Sequence, residues 1–553
     1  MKFLERYPRW VLTFAACLYL LPGTWLFPLV DRDEPRFSGA TIEMMERGNY
    51  VVPYFNDQYR FDKPPLTYWW MQLHYRLVGI SELGARLHSV SAAWLVALAL
   101  YGFARRLKME PRWALLAGLV WLSSLQVVIH GRVAVADMPL ILGTTIALRG
   151  IWDYLFVKKQ RSFLNAAFAQ TYLGMAFAFL AKGPLALFIP ILTLLAVAIF
   201  SRKCRTLYWK QLLASLLPGL LVCLAIIGAW GIPALLQTQG AYFNVGIGEH
   251  VVERGISSFN ERFYIPGVYY IAIILIFFSP WVPALVPSLK ATWRARKETP
   301  YAGFLLGWVA SSFIIFAFYK TQLPHYILPS YPALALLAVG WLRSNQNIGF
   351  QLSYTLTRIA LSVAILSLFV LGWIFNRYQT VADLGHAALW LSALLVVLLM
   401  ASECVKRQRL LAAILCSLGS AFLFLPFAHN VRQAHLVVRL QSAHAQILKD
   451  APNAYADGFG EPSLVWYSGR FWNFQAKPNA DALQSGDVLL INTRRWRLDD
   501  RLISDWQAGD PLRPRNDLRA EIQEQYGHLE LQTVQGFNPG NSSWIELTLI
   551  HKP

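Results

Sequence analysis

The chain has 553 residues, of which 56% are hydrophobic, 14% aromatic and only 15% charged, with a mean hydropathy of +0.38. Soluble chains carry roughly a quarter charged residues, so an ordinary soluble fold is excluded. The net charge of +18 is dispersed in short clusters rather than gathered on one face, which argues against a nucleic-acid partner.

About thirteen apolar runs, each long enough to cross a ~30 Å hydrocarbon layer as a helix, follow one another along the chain. They lie near 10–30, 86–104, 113–130, 137–156, 165–181, 184–201, 210–237, 265–288, 300–319, 324–342, 352–376, 385–402 and 409–428. Gaps such as Arg105-Arg106-Leu107-Lys108 and Lys406-Arg407-Gln408-Arg409 alternate with less basic ones, as the positive-inside rule requires. With Lys2, Arg6 and Arg9 ahead of the first run, the N-terminus is expected in the cytoplasm. An odd number of spans then puts the C-terminus outside. The first run follows a basic start, as a signal peptide would, but it is long and lacks a small-x-small cleavage site. A retained anchor is expected. None of the five cysteines falls in a predicted outer segment, so no structural disulfide is expected.

Residues 1–429 form the predicted membrane domain, with long outer segments at 31–85 and 238–264. The first carries two candidate amphipathic helices. One starts at Pro35 with Phe37, Thr41, Met44 and Met45 at helical spacing; the other starts at Pro64-Pro65 with Leu66, Trp69, Trp70 and Leu73. Such helices lie along a membrane surface; two packed helices in a soluble loop are the plainer reading. Residues 430–553 have the composition of a small α/β domain, with helix-like stretches at 434–449 and 517–525 and strands at 488–491 and 544–550. No motif in that domain assigns it an activity.

The charged residues with chemical potential collect in the predicted outer gaps: Asp33, Lys63, Asp137, Lys182, His250 and Lys320. Four of these charges precede a proline that can open a helix, in Asp33-Glu34-Pro35, Lys63-Pro64-Pro65, Asp137-Met138-Pro139 and Lys182-Gly183-Pro184. Either Asp could be a plain N-cap, worth about 1 kcal/mol. A lysine beside a helix N-terminus instead reinforces a site for an anion such as phosphate, the alternative being a side chain snorkelling to headgroups. Asp31-Arg32-Asp33 also spells the D-x-D of nucleotide-sugar enzymes, but nucleotide sugars are absent outside, so that reading is rejected. An external sugar transfer needs a lipid-linked donor. His250, beside Glu249, could hold a metal together with Asp62, or simply form hydrogen bonds. Tyr326, after Leu323-Pro324-His325, offers a hydroxyl near the outer surface.

Asp33-Glu34-Pro35-Arg36, Phe61-Asp62-Lys63-Pro64, Ala136-Asp137, Ala181-Lys182-Gly183-Pro184, Glu249-His250 and Leu323-Pro324-His325-Tyr326-Ile327-Leu328 occur in this order. Together they resemble the bacterial aminoarabinose transferases that modify lipid A, within the wider group related to protein O-mannosyltransferases. The resemblance spans about residues 1–340, and it is the order and common side of the motifs that carry it. It implies a GT-C fold: a polytopic α-helical membrane protein with a small extracytoplasmic α/β domain. It further implies a periplasmic-side transferase of the bacterial inner membrane that uses undecaprenyl phosphate as sugar carrier. By motif, Asp33 and Asp137 match essential carboxylates, and Lys63, Lys182 and Tyr326 match residues around the donor phosphate. Asp62 and His250 match the positions of a metal, with Asp62 standing where a glutamate is usual. The expected reaction moves 4-amino-4-deoxy-L-arabinose to lipid A phosphate. Transfer of mannose or another sugar to protein or an envelope glycan is the alternative within this class. A flippase for the lipid-linked sugar is the alternative outside it, disfavoured because the charges gather at one surface rather than at the midplane.

Overall fold

Some prolines, glycines and serines interrupt the apolar runs, whereas Pro190, Pro218 and Pro233 sit inside helices that stay whole. The computed structural model describes residues 6–157, 162–200, 209–246, 248, 268–317, 319, 321–344, 350–376, 381–497, 517–540 and 543–553. The expected runs at 137–156, 165–181, 184–201 and 210–237 appear as helices Asp137–Phe156, Ala166–Lys182, Leu185–Phe200 and Trp209–Gln237. Others are interrupted. The first ends at Leu20, because Pro22, Gly23 (φ 84°) and Pro28 turn the remainder into irregular chain. The run at 113–130 divides into Pro111–Ser123 and Leu125–His130 across the extended Ser124. The run at 265–288 divides into Val268–Phe277 and Val282–Ala295, with Ser279-Pro280 between them. The run at 324–342 opens as a 3-10 turn, Pro324–Ser330, before Tyr331–Arg343.

Four of the thirteen expected runs are thus shortened, divided or opened by a 3-10 turn. Among the described residues, six helices are long and apolar enough to cross a membrane, with further apolar helices of 10–17 residues. The chain is a multi-pass membrane protein. Its outermost helices expose apolar side chains as a lipid-facing surface does, with Leu217 71% and Leu236 75% exposed.

The helices Asp137–Phe156 and Ala166–Lys182 form a tightly packed antiparallel pair. A Cβ on Gly143 would lie 2.8 Å from the backbone nitrogen of Ala178, and one on Gly174 would lie 2.8 Å from that of Ala147. Only glycine permits that approach, the usual way membrane helices gain packing where there is no hydrophobic drive between them. The first residue of one helix and the last residue of the other thus meet at the same end of the bundle. Buried tryptophans brace the surrounding core with satisfied indole N–H groups: Trp121 donates to the Ala93 carbonyl (2.9 Å) and Trp281 to Ser123 Oγ (2.8 Å).

Above this end lies the segment after the first helix. Helix Asp33–Arg47 buries Phe37, Thr41 and Met44. Helix Leu66–Val78 buries Tyr68, Met71 and Tyr75 while leaving Leu73, Leu77 and Val78 exposed. Of the residues expected on the apolar face of the second helix, Leu73 is exposed and Leu66, Trp69 and Trp70 are half-buried. The first helix is instead covered by the C-terminal domain, because helix Pro462–Ser468 packs onto it. The C-terminal domain is a four-stranded sheet ordered β3-β4-β6-β5, with β3 (Ala454–Asp457), β4 (Val488–Arg497), β5 (Glu530–Asn538) and β6 (Ser543–His551). β3 and β4 run parallel, and the other pairs are antiparallel. The expected helices at 434–449 and 517–525 are Leu436–Asp450 and Arg519–Tyr526. The four described cysteines, Cys17, Cys223, Cys404 and Cys416, are free.

Candidate active site

The end of the bundle below helix Asp33–Arg47 holds a cavity of about 240 Å³, lined by Asp33, Asp62, Lys63, Asp137, Lys182 and Tyr326 together with Arg60, His130 and His325. Every candidate residue that falls among the described residues borders this one space. His250 and Lys320 lie outside the described residues. A larger cavity of about 1280 Å³ opens between the segment after the first helix and the C-terminal domain, and none of the candidate residues lines it.

The wall made by the glycine-packed helix pair carries a buried ion pair. Lys182 Nζ donates to Asp137 Oδ1 at 2.6 Å, with both side chains largely shielded from solvent. Asp137 is the first residue of its helix, and the N-cap position belongs to Ala136 without a side-chain cap, so the plain capping reading does not describe it. Lys182 is the last residue of the preceding helix, where the macrodipole favours a cation. The sequence places it only beside the next helix, so its fit to its own helix end is a correction. Its ammonium also sits 5.9 Å from the Tyr326 ring centroid. Tyr326 stacks on Phe316 at 4.4 Å, and the rings of His130 and His325 lie 5.0 Å apart beside it.

The opposite wall comes from the segment that follows the first helix. Asp33 is exposed to the cavity as the first residue of its helix, with Arg32 at an N-cap position lacking a side-chain cap. Asp31, the other half of the D-x-D, is engaged elsewhere: its carboxylate accepts from the backbone N–H of Ser463 (2.8 Å) and from the Ser463 hydroxyl. Burial pushes its pKa up to about 7, against the Ser463 hydroxyl. Lys63 donates to the Asp62 carbonyl at 2.9 Å, and its own carbonyl accepts from the Tyr242 hydroxyl at 2.5 Å. Asp62 is paired with Arg60 at 2.9 Å, and Arg60 also donates to the Tyr68 hydroxyl (3.1 Å) and lies over the Phe37 ring. Arg36 has its pKa lowered, by burial first and by Arg60 second.

Between the walls lies a network that the sequence does not reveal. Glu34 and Arg86 are both buried and form a bidentate pair, at 2.9 and 2.8 Å. Arg86 also donates to the carbonyls of Thr24 (2.7 Å), Phe27 (2.6 Å) and Pro28 (2.7 Å). Glu34 accepts from the backbone N–H groups of Val30 (2.8 Å) and Ala134 (2.7 Å). The pair therefore ties the chain entering Asp33 to the chain entering Asp137. Removing one partner would strand a buried charge, at a cost of about 3–5 kcal/mol. No local motif announces Arg86, which sits in the first turns of an apolar helix; its partners lie 52 or more residues away.

The described residues include no group of three His, Cys, Asp or Glu side chains arranged to hold a metal. Of the expected pair of ligands, only Asp62 is described, and Arg60 occupies one of its carboxylate oxygens.

Residues 9–236 match the family model described as dolichyl-phosphate-mannose-protein mannosyltransferase. An undecaprenyl phosphate-alpha-4-amino-4-deoxy-L-arabinose arabinosyl transferase of Edwardsiella ictaluri is 32% identical over 325 residues, 58% of this chain and 56% of that protein. A second such transferase, from Proteus mirabilis, is 32% identical over 57% of this chain and 56% of its own length. Over little more than half of its length the chain is similar to these aminoarabinose transferases. The match spans little more than half the length of these curated relatives. The fold agreement is wider: the crystal structure of ArnT from Cupriavidus metallidurans bound to undecaprenyl phosphate superimposes with a TM-score of 0.75 at 19% identity, covering 98% of both chains. The architecture, a helical membrane domain followed by a C-terminal α/β domain, is thereby shared.

Proposed function

We propose that this chain is a membrane glycosyltransferase that moves 4-amino-4-deoxy-L-arabinose from undecaprenyl phosphate to a phosphate of lipid A, at the periplasmic face of the bacterial inner membrane. The observation that carries the reading is the meeting of Asp33, Asp137, Lys63, Lys182 and Tyr326 around one cavity at the end of the membrane helices. In this reaction an acceptor phosphate oxygen bonds to the sugar C1 as the bond from C1 to the donor phosphate breaks. The bonding electrons leave with undecaprenyl phosphate. Charge therefore grows on the leaving phosphate, and Lys63, Lys182 and the Tyr326 hydroxyl are the groups suited to stabilise it. Asp137 holds Lys182 toward that position. Asp33, exposed on the opposite wall, is suited to the amino group of the sugar or to orienting the acceptor. A phosphate acceptor is already anionic and needs little general-base help. A divalent metal at Asp62 and His250 would add Lewis-acid charge there, but the Asp62 carboxylate is already paired with Arg60.

The activity for which the relatives are named supports this choice of sugar and carrier. The match of residues 9–236 to the mannosyltransferase model supports a second reading, transfer of a lipid-linked sugar to a protein hydroxyl, in which Asp33 would serve as general base. Mass spectrometry of lipid A from cells with and without the chain separates the two. An aminopentose increment per phosphate that disappears on deletion is the expected result; unchanged lipid A with altered glycoproteins would favour the second reading.

A further inference from the structure

We propose that the C-terminal domain is part of the catalytic apparatus: its Glu461–Tyr467 segment clamps the loop Leu29–Arg32 and thereby fixes the position of Asp33. The inference rests on the assignment of Asp33 to the active site. The chain between Leu20 and Asp33 has turn hydrogen bonds of its own only as far as Phe27, so the course of residues 28–32 depends on outside partners. From the membrane side, Arg86 takes the carbonyls of Thr24, Phe27 and Pro28. From the other side, the C-terminal domain takes Leu29, Asp31 and Arg32. The Leu29 N–H donates to the Tyr467 hydroxyl at 3.0 Å. Asp31 accepts from both the backbone and the side chain of Ser463. Arg32 faces Glu461 at 3.4 Å.

These contacts are held from behind. Glu461 accepts from Asn538 Nδ2 at 3.1 Å, and Tyr467 donates to Glu82 Oε1 at 3.3 Å. A Cβ on Gly540 would come within 3.0 Å of both Asp31 and Glu461, so the chain after β5 closes over the same spot. Helix Asp33–Arg47 begins directly after the clamped residues, with Pro35 in its first turn. Asp33 thus has no slack on either side. Ser463 and Tyr467 are positioning residues: they touch neither the active-site cavity nor the reacting atoms.

The test uses the full chain in lipid nanodiscs, as wild type, Ser463→Ala, Tyr467→Phe and Arg439→Ala. The last breaks contacts that include no residue of the loop, to Asp383 and to the carbonyls of Gln433 and Gln535. Amide hydrogen exchange of residues 29–36 should rise about fivefold or more in the Ser463 and Tyr467 variants and stay at the wild-type rate in the Arg439 variant. β4 and β6 should remain protected throughout, which separates a released clamp from an unfolded domain. Turnover with undecaprenyl-phosphate aminoarabinose should fall about tenfold in kcat with KM nearly unchanged, as expected when a catalytic group loses its alignment. Ser463→Thr, which keeps the hydroxyl and the N–H, should restore it. Unchanged exchange in both variants overturns the clamp. Raised exchange with normal turnover overturns its catalytic part. If the wild type fails to use that donor at all, the proposed activity falls while the exchange result still decides whether the loop is clamped.

Discussion

The two walls of the cavity present their carboxylates in opposite ways. Asp137 is buried, ion-paired with Lys182 and mounted on two helices pressed together through Gly143 and Gly174. Asp33 is exposed, and it follows an irregular loop whose anchors come from Arg86 and the C-terminal domain. One wall takes its precision from packing within the membrane, the other from hydrogen bonds across a domain boundary. A buried paired carboxylate is a poor candidate for meeting a substrate directly and a good one for holding a cation. An exposed carboxylate is the reverse.

The largest effect should therefore come from Asp33. Asp33→Asn should lower kcat by about 10³-fold or more if the charge itself meets the substrate. Its exposed position should limit the stability loss to under about 1 kcal/mol, the value of one charge in the first turn of a helix. Turnover and thermal unfolding of the purified variant check both halves. Survival of activity would reduce Asp33 to a charge that merely suits its helix end. Asp137→Asn should differ in kind. It should cost roughly 3–5 kcal/mol of stability by stranding the Lys182 ammonium, along with about 10²-fold in kcat. The double variant Asp137→Asn with Lys182→Met should recover much of the stability and none of the activity. A double variant as unstable as Asp137→Asn would mean that the pair is not the dominant local interaction.

Lys63 sharpens the comparison from the outer wall. Lys63→Ala should raise KM for the lipid-linked donor by about tenfold with a smaller change in kcat, a loss of phosphate binding in the ground state. Lys63→Arg should rescue incompletely, since a planar fork cannot replace a compact ammonium held 2.9 Å from the Asp62 carbonyl. Equal loss of kcat and kcat/KM in Lys63→Ala would instead assign the lysine to the transition state.

The helices of the membrane wall are legible in the sequence because hydropathy and the spacing of prolines act locally, and Asp137 and Lys182 stand at helix ends that those signals mark. The breaks at Ser124 and Ser279-Pro280 are not, since apolar residues continue on both sides and only packing decides whether the helix resumes. Charge beside proline picks out candidate residues on both walls. The partners that hold the outer wall are invisible, because Arg86, Ser463 and Tyr467 act over sequence separations of 52, 432 and 438 residues. His130, which borders the cavity, carries no signal beyond being a single histidine at the end of an apolar run.

The smallest predicted effect tests the domain boundary through pH. The Asp31 carboxyl has its pKa raised from 3.8 to about 7, by burial first, with the Ser463 hydroxyl opposing, Glu461 adding to the rise, and the Ser463 N–H and Arg36 opposing it further. Arg32, on the same loop, faces Glu461 and so offsets part of that repulsion. A carboxyl whose pKa is higher in the folded state binds its proton more tightly there, so the associated stability is fully present below 3.8. It declines as pH rises toward about 7 and is level above that, once both states are ionised. Protonated Asp31 still accepts from the Ser463 N–H through its carbonyl oxygen and can donate to the hydroxyl, so the docked geometry survives the change. Asp31→Asn preserves the same hydrogen-bonding pattern without the charge. The difference in unfolding midpoint, wild type minus Asp31→Asn, should therefore fall between about pH 5 and pH 7, by an amount on the order of 2 °C, and then stop changing. A difference that is flat across the range, or that grows with pH, would mean that Asp31 sits ionised and content at the boundary. The ionised carboxylate, held by the Ser463 N–H and hydroxyl, would then be the strongest part of the clamp.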